Sequence, residues 1–206
     1  YSFEKFYDVL SKSKLLFFTI DKLTCSIFFQ GLIESRFKIN NFVDPIYYLK
    51  SIKNKTEIEN MKLAHVKDGV ALTKFLYWIK QSKNFGFDEI FLEKKLESFR
   101  KKNKEYIYPS FDTIAGSGPN SAIIHYRTSK KTNRKIKKSD IFLCDSGGQY
   151  KYGTTDVTRT ICFSKPKQNI KNIFTKVLKG HIAVVSADLK KNFNGKLIDV
   201  LARKNL

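Results

Sequence analysis

The chain has 206 residues, of which 39 are Lys or Arg and 19 are Asp or Glu, so its formal net charge is +20, and 42% of its residues are hydrophobic. This apolar content suffices for a buried core and excludes a disordered or fibrous protein. No apolar run approaches the roughly 20 residues of a membrane helix, and no cleavable leader is recognisable. We therefore expect a cytoplasmic protein without a membrane partner. Three widely spaced cysteines, Cys25, Cys144 and Cys162, indicate reduced thiols.

The positive charge is mostly lysine and is densest in one loop, which carries Lys130, Lys131, Arg134, Lys135, Lys137 and Lys138. Clustered cations can bind phosphates by releasing counterions. Single-stranded nucleic acids also need exposed aromatic side chains to stack on, and none lies between Arg127 and Ile141. The pattern favours a solvated lysine-rich surface and argues against a nucleic-acid partner.

Residues 1–48 form the first predicted unit. A helix ending near Leu10 precedes a strand over 15–20, and Asp21 is expected to cap a helix that runs to Leu32. The chain then turns at Asp44-Pro45, and we place a domain boundary between Asp44 and Asn54. Tyr1 in place of a methionine, and a helical pattern that continues to Leu206, suggest a segment of a longer protein.

Residues 49–206 form the second predicted unit. A capping box of Thr56 and Glu59 begins a long helix to Ile79, and Asp88 caps the next one. Strands are predicted over 110–115, 122–126, 141–145 and 153–163, with a Gly-Ser-Gly-Pro-Asn turn at 116–120. Helices follow from Pro166 and from Leu197. Helices, then a strand meander, then helices predict an α+β fold.

Two aspartates in the last two strands are the first candidate site residues. A hairpin turn centred on Tyr150 and Lys151 would place Asp145 directly opposite Asp156, with β-carbons about 4.5–5.5 Å apart. Like charges so close repel unless a cation lies between them, and carboxylate oxygens are typical ligands of divalent ions. The alternative is that each aspartate only stabilises its own solvated turn. Spacing alone leaves both interpretations open.

His125 is the second candidate. A neutral imidazole near a metal can hydrogen-bond a substrate carbonyl or a developing oxyanion. A lone histidine in an apolar strand is also often purely structural, and its position alone does not decide between the two roles.

Several segments together resemble aminopeptidase P, the X-Pro aminopeptidase of the pita-bread metallopeptidase superfamily. They are Asp112-Thr-Ile-Ala-Gly-Ser-Gly-Pro-Asn120, Ile123-Ile-His-Tyr-Arg127, Thr132-Asn-Arg134, Asp145-Ser-Gly-Gly-Gln-Tyr150 and Gly153-Thr-Thr-Asp-Val-Thr-Arg-Thr160. The likeness extends upstream to Pro45 and downstream to Lys204. It implies the N-terminal half of a pita-bread catalytic domain over 49–206, and the tail of a creatinase-like domain over 1–48.

The resemblance also implies a chemistry. Asp145 and Asp156 match the first two carboxylate ligands of a site for two divalent metal ions, usually manganese, and His125 matches the histidine that contacts the substrate and stabilises the tetrahedral intermediate. A metal-bound hydroxide would attack peptides that have proline in second position and release their first residue. Such peptides are the expected partners, and a homodimer is a further expectation.

The family completes its metal site with a histidine and two glutamates that lie further along, and this sequence lacks them. We therefore expect the 206-residue segment alone to be inactive. The alternatives are a prolidase or methionine aminopeptidase relative, or a non-catalytic pita-bread protein that binds nucleic acid or protein. Retention of both Asp145 and Asp156 argues against a non-catalytic role, whereas the charge of +20 favours it.

Overall fold

The computed structural model describes residues 3–82, 86–188 and 194–206. Its contacts separate the chain into two compact units, one up to Ile58 and one from Glu59. The division into 1–48 and 49–206 remains a prediction about the domains of the whole protein. Within the described ranges, no helix combines the length and the apolar character needed to cross a bilayer.

The first unit alternates helices with a small parallel sheet. Its elements are α1 (Phe3–Lys12), β1 (Phe17–Ile20), α2 (Ile27–Glu34), β2 (Lys38–Asn41) and α3 (Pro45–Ser51). Strands β1 and β2 pair in parallel, and Leu10, Ile33 and Phe37 form the core of this unit. The α2 boundary was predicted wrongly: Ser26 caps this helix, whereas the Asp21 carboxylate accepts hydrogen bonds from the amides of Leu23 and Asp44.

The second unit contains two antiparallel sheets and four α-helices among its described residues. In chain order, after α4 (Lys55–Gln81), which begins just before this unit, come α5 (Glu89–Arg100), β3 (Tyr106–Pro109), β4 (Ile114–Ser117), a 3₁₀ turn (Gly118–Ala122), β5 (Ile141–Ser146), β6 (Gly148–Tyr150), β7 (Gly153–Thr154), β8 (Val157–Cys162), α6 (Gln168–Val185) and α7 (Gly195–Arg203). One sheet has the order β4-β5-β8 and the other β3-β6-β7. The predicted α+β class is confirmed.

The core of this unit lies between the long helices and the β4-β5-β8 sheet. Alternate residues of β5 point inward, and the core consists of Leu72, Phe75, Ile79, Leu92, Leu96, Ala115, Ile136, Phe142 and Cys144. Val157 of β8 packs against this core. Burial raises the pKa of the Cys144 thiol to about 11, so this cysteine stays protonated and unreactive at neutral pH.

Local capping signals explain where helices α4 and α5 begin. The Asp88 carboxylate accepts a hydrogen bond from the Phe91 amide at 2.8 Å, as predicted. At α4 a capping box is present, but Asn54 and Glu57 form it in place of the predicted Thr56 and Glu59. An asparagine is as good a cap as a threonine, so the pattern alone did not decide between two overlapping boxes.

Candidate functional site

The two candidate aspartates lie on the long hairpin formed by β5–β6 and β7–β8. Its turn is centred one residue later than predicted, because Tyr150 pairs with Gly153 and Gln149 with Thr154. Asp145 therefore pairs with Thr158 and not with Asp156, and the predicted direct opposition is wrong. Asp156 lies just before β8, two residues ahead of Thr158, so the alternation of that strand, continued by one residue, keeps both carboxylates on one face.

Gly147 lies between β5 and β6, where the hairpin passes from the β4-β5-β8 sheet to the β3-β6-β7 sheet. A β-carbon on Gly147 would lie 1.9 Å from the Thr155 carbonyl oxygen and 2.2 Å from Ser110 Oγ, so only glycine fits there. This close approach lets Ser110 Oγ donate to the Thr155 carbonyl at 2.8 Å and the Gly148 amide donate to Thr155 Oγ1 at 2.9 Å. These bonds fix the backbone that connects Asp145 to Asp156.

The candidate residues share one pocket of about 300 Å³. It is lined by Phe111, Asp112, Ile114, His125, Arg127, Asp145 and Asp156. All three residues singled out in the sequence are therefore brought together, although they come from two separate loops and a strand. The pocket also contains an ion pair that spacing did not predict, between Arg127 and Asp112, both largely exposed.

The two aspartates differ in how they are held. Asp145 is half-buried, and its Oδ1 accepts a hydrogen bond from Thr158 Oγ1 at 2.8 Å. Asp156 is exposed and has no hydrogen-bond or ion-pair partner within the described part of the chain. Neither carboxylate bonds to its own turn there, so the interpretation as mere turn-stabilising residues loses support. Two carboxylates without a paired cation are suited to a hard divalent ion.

The donor set for a metal is incomplete. Among the described residues, no group of three or more His, Cys, Asp and Glu side chains is arranged to hold an ion. Two carboxylates supply only part of the six or so oxygen ligands that a hard cation prefers. The pocket therefore fits part of a metal site.

His125 lies in a turn and not in a strand, which contradicts the prediction for 122–126. Residues 118–122 form a 3₁₀ turn, and His125 has a φ of +53°, a left-handed conformation that no strand residue adopts. Its imidazole is exposed at the pocket, whereas the next side chain, Tyr126, is buried. Sequence reasoning missed this because Ile123 and Ile124, which suggested a buried strand, are exposed.

A buried ion pair is hydrogen-bonded to Ser146, the residue that follows Asp145. Arg100 Nε and Nη2 donate to the two carboxylate oxygens of Asp68 at 2.7 and 3.0 Å, and both side chains are nearly inaccessible. Arg100 Nη2 also donates to Ser146 Oγ at 3.0 Å, and Tyr150 OH donates to Asp68 at 2.8 Å. Because Ser146 follows Asp145, this network anchors the end of the strand that carries the first candidate ligand.

Comparison with known proteins identifies the family. The model of metallopeptidase family M24 matches residues 59–206, which is most of the chain. The chain belongs to this family. It is 44% identical over 185 residues to a Xaa-Pro aminopeptidase of Drosophila melanogaster, a match that covers 89% of the chain and 30% of that protein.

Solved structures of M24 peptidases share the fold. An X-prolyl aminopeptidase of Caenorhabditis elegans, described as a cytosolic enzyme with a di-nuclear active site, superimposes with a TM-score of 0.79 at 28% identity, over 100% of this chain and 35% of that one. The prolidase of Pyrococcus furiosus superimposes with a TM-score of 0.77 at 27% identity, over 99% of this chain and 58% of that one. The predicted pita-bread fold and the resemblance to X-Pro aminopeptidases are confirmed. The chain spans about a third of the length of the Drosophila and C. elegans aminopeptidases.

Proposed function

We propose that the full-length protein is a metal-dependent aminopeptidase that removes the first residue from peptides with proline in second position. The observation that carries this proposal is the pocket in which His125, Asp145 and Asp156 meet, in a chain 44% identical to a Xaa-Pro aminopeptidase. A family match alone would not suffice, since a non-catalytic relative has no need to keep these three side chains together.

Asp145 and Asp156 would hold divalent ions, with manganese as the expected metal. The hard carboxylate oxygens and the lack of a cation paired to either one in the described residues support this choice. The di-nuclear site of the C. elegans enzyme supports a pair of ions. Bound there, such ions supply an acidified water as nucleophile and polarise the scissile carbonyl.

The chain's own residues would orient these groups and the substrate. Thr158 Oγ1 donates to Asp145 Oδ1 and would orient this carboxylate toward a metal. His125, exposed at the pocket, would hydrogen-bond the substrate carbonyl and stabilise the tetrahedral intermediate. The remaining family ligands, a histidine and two glutamates, would come from elsewhere in the full-length protein.

The 206-residue chain alone is expected to hydrolyse no peptide. Two carboxylates bind a divalent ion weakly and leave a second ion without ligands of its own. We also place the full-length protein in the cytoplasm, with the C. elegans enzyme as support. A homodimer remains a prediction.

A panel of peptides tests the proposed substrate class in the full-length protein loaded with manganese. We expect release of the first residue from an Ala-Pro-Ala tripeptide and no release from Ala-Ala-Ala, because proline in second position defines the class. Hydrolysis restricted to an Ala-Pro dipeptide would indicate a prolidase, and release of methionine from Met-Ala-Ala would indicate a methionine aminopeptidase. No hydrolysis of any peptide, together with salt-sensitive binding to RNA, would support the non-catalytic alternative suggested by the net charge of +20.

A further inference from the structure

A second buried carboxylate, Glu89, lies outside the pocket and is bonded to the segment that carries His125. Glu89 is the first residue of α5 and is fully buried. Burying a carboxylate is unfavourable unless its oxygens are hydrogen-bonded. Every group around it is a donor: Glu89 accepts from the Ser117 amide at 2.8 Å, from Asn120 Nδ2 at 3.0 and 3.1 Å, from Tyr126 OH at 2.8 Å and from the Arg134 amide at 3.1 Å.

These donors come from three separate stretches of chain. Ser117 and Asn120 belong to the Gly-Ser-Gly-Pro-Asn turn, Tyr126 to the turn of His125, and Arg134 to the lysine-rich loop. The exposed lysines of that loop point to solvent, while its backbone is fixed: the Glu89 amide donates to the Arg134 carbonyl at 3.1 Å. One carboxylate thus joins the end of β4 with the 3₁₀ turn that follows it, the turn of His125 and the lysine-rich loop.

Tyr126 links this junction to the pocket. Its hydroxyl accepts from Asn120 Nδ2 at 2.8 Å and donates to Glu89 Oε2 at 2.8 Å. Burial raises the pKa of Tyr126, and the hydrogen bond to Glu89 raises it further, so the phenol keeps its proton as a donor at neutral pH. His125, the preceding residue, has a left-handed backbone that is unfavourable for a side chain with a β-carbon and persists only when its surroundings enforce it.

We propose that Glu89 is a positioning residue for His125: by holding Tyr126 and Asn120, it fixes the strained turn that presents the imidazole to the pocket. Glu89 is inaccessible and does not line the pocket, so it acts through these neighbours and not on the substrate. The catalytic part of this inference rests on the proposed function, whereas the fixing of the turn does not.

Backbone dynamics of the 206-residue chain test the fixing of the turn independently of catalysis. We compare ¹⁵N relaxation at the His125 amide in the wild type, in Glu89→Gln and in Tyr126→Phe, which removes a single hydroxyl. We expect an order parameter near 0.85 in the wild type and below about 0.6 in both variants. The matched control is Glu93→Gln, one turn along the same helix, which has no hydrogen bond to the turn among the described residues and should leave His125 rigid. An unchanged order parameter in both variants would refute the proposal.

A double-mutant cycle in the full-length protein tests the catalytic part. Glu89→Gln should lower kcat/KM for an Ala-Pro-Ala peptide by about 10–100-fold, the range for a displaced catalytic group, without changing the affinity for manganese. In a His125→Ala background, the same substitution should have almost no further effect. An equal loss in both backgrounds, or a parallel loss of manganese affinity, would show a merely structural role. A wild-type protein without peptidase activity would refute the proposed function, and the relaxation data would then decide the role of Glu89.

Discussion

Replacing Asp145 or Asp156 with asparagine is expected to abolish peptidase activity of the full-length protein. The substitution keeps the shape of the side chain but removes the charge that attracts a divalent ion. Metal polarisation of a carbonyl contributes several kcal/mol to transition-state stabilisation, and each 1.36 kcal/mol corresponds to tenfold in rate. We therefore expect kcat/KM for an X-Pro peptide to fall by roughly a thousandfold or more, as measured by release of the first residue at saturating manganese.

The matched control is Asp8→Asn, which removes the same charge from an exposed position in the first unit. It should leave kcat/KM unchanged. Asp145→Asn should also unfold at the same denaturant concentration as the wild type, because the amide oxygen can still accept the hydrogen bond from Thr158. Activity that survives in both pocket variants would contradict their assignment as metal ligands.

A large loss of folding stability is expected when the buried ion pair between Asp68 and Arg100 is broken. Asp68→Asn leaves the Arg100 guanidinium buried without a counter-charge, and breaking such a pair destabilises a protein by about 3–5 kcal/mol. Burial alone would lower the pKa of Arg100, but the hydrogen bonds and charge of Asp68 outweigh it and raise the pKa, so the arginine stays charged. Urea unfolding measures this loss of stability. The transition can be followed by the fluorescence of Trp78, which packs against the core of the second unit.

Two further variants distinguish the destabilisation caused by breaking the buried pair from the effect of removing a charge in general. Asp199→Asn breaks an ion pair of the same type, with Arg203, but on the surface of α7, and should not shift the unfolding midpoint measurably. The double replacement Asp68→Leu with Arg100→Met removes both charges and should recover part of the lost stability, reduced by the cost of leaving the buried Tyr150 hydroxyl without its acceptor. A midpoint for Asp68→Asn equal to that of the wild type would contradict the strength assigned to this network.

Local patterns were enough to predict much of the fold. The helical spacing of apolar residues predicted α4, α5 and α6, and the capping signal at Asp88 was correct to the residue. These features depend on neighbours within four positions, which a single sequence displays.

The hairpin register and the His125 turn could not be predicted in the same way. Moving the centre of the turn by one residue shifts the pairing of the two strands by two residues. Every side chain then stays on its predicted face of the sheet, so alternation cannot distinguish the two registers. Gly147 contacts Thr155 across the hairpin and also Ser110, which precedes the hairpin by a long stretch of chain, and the spacing of residues does not display such a contact. Two isoleucines before His125 indicated a buried strand, although both are exposed.

The two buried polar networks, around Asp68 and around Glu89, were missed entirely because their members are distant in sequence. Asp68 and Tyr150 are 82 positions apart, and Glu89 and Tyr126 are 37 apart. Asp68 occurs in a charged helix, where it resembles any solvated acid. A buried charge of this kind is visible only when the tertiary structure places its partners beside it.

The most direct test of the proposed metal site is the anomalous scattering of manganese in crystals of the full-length protein. We expect peaks with carboxylate oxygens of Asp145 and of Asp156 at coordination distance, about 2.0–2.6 Å, and no peak at this position in the Asp156→Asn variant. Manganese bound elsewhere, with the pocket of His125, Asp145 and Asp156 free of metal at saturating concentration, would contradict the assignment of both aspartates as ligands.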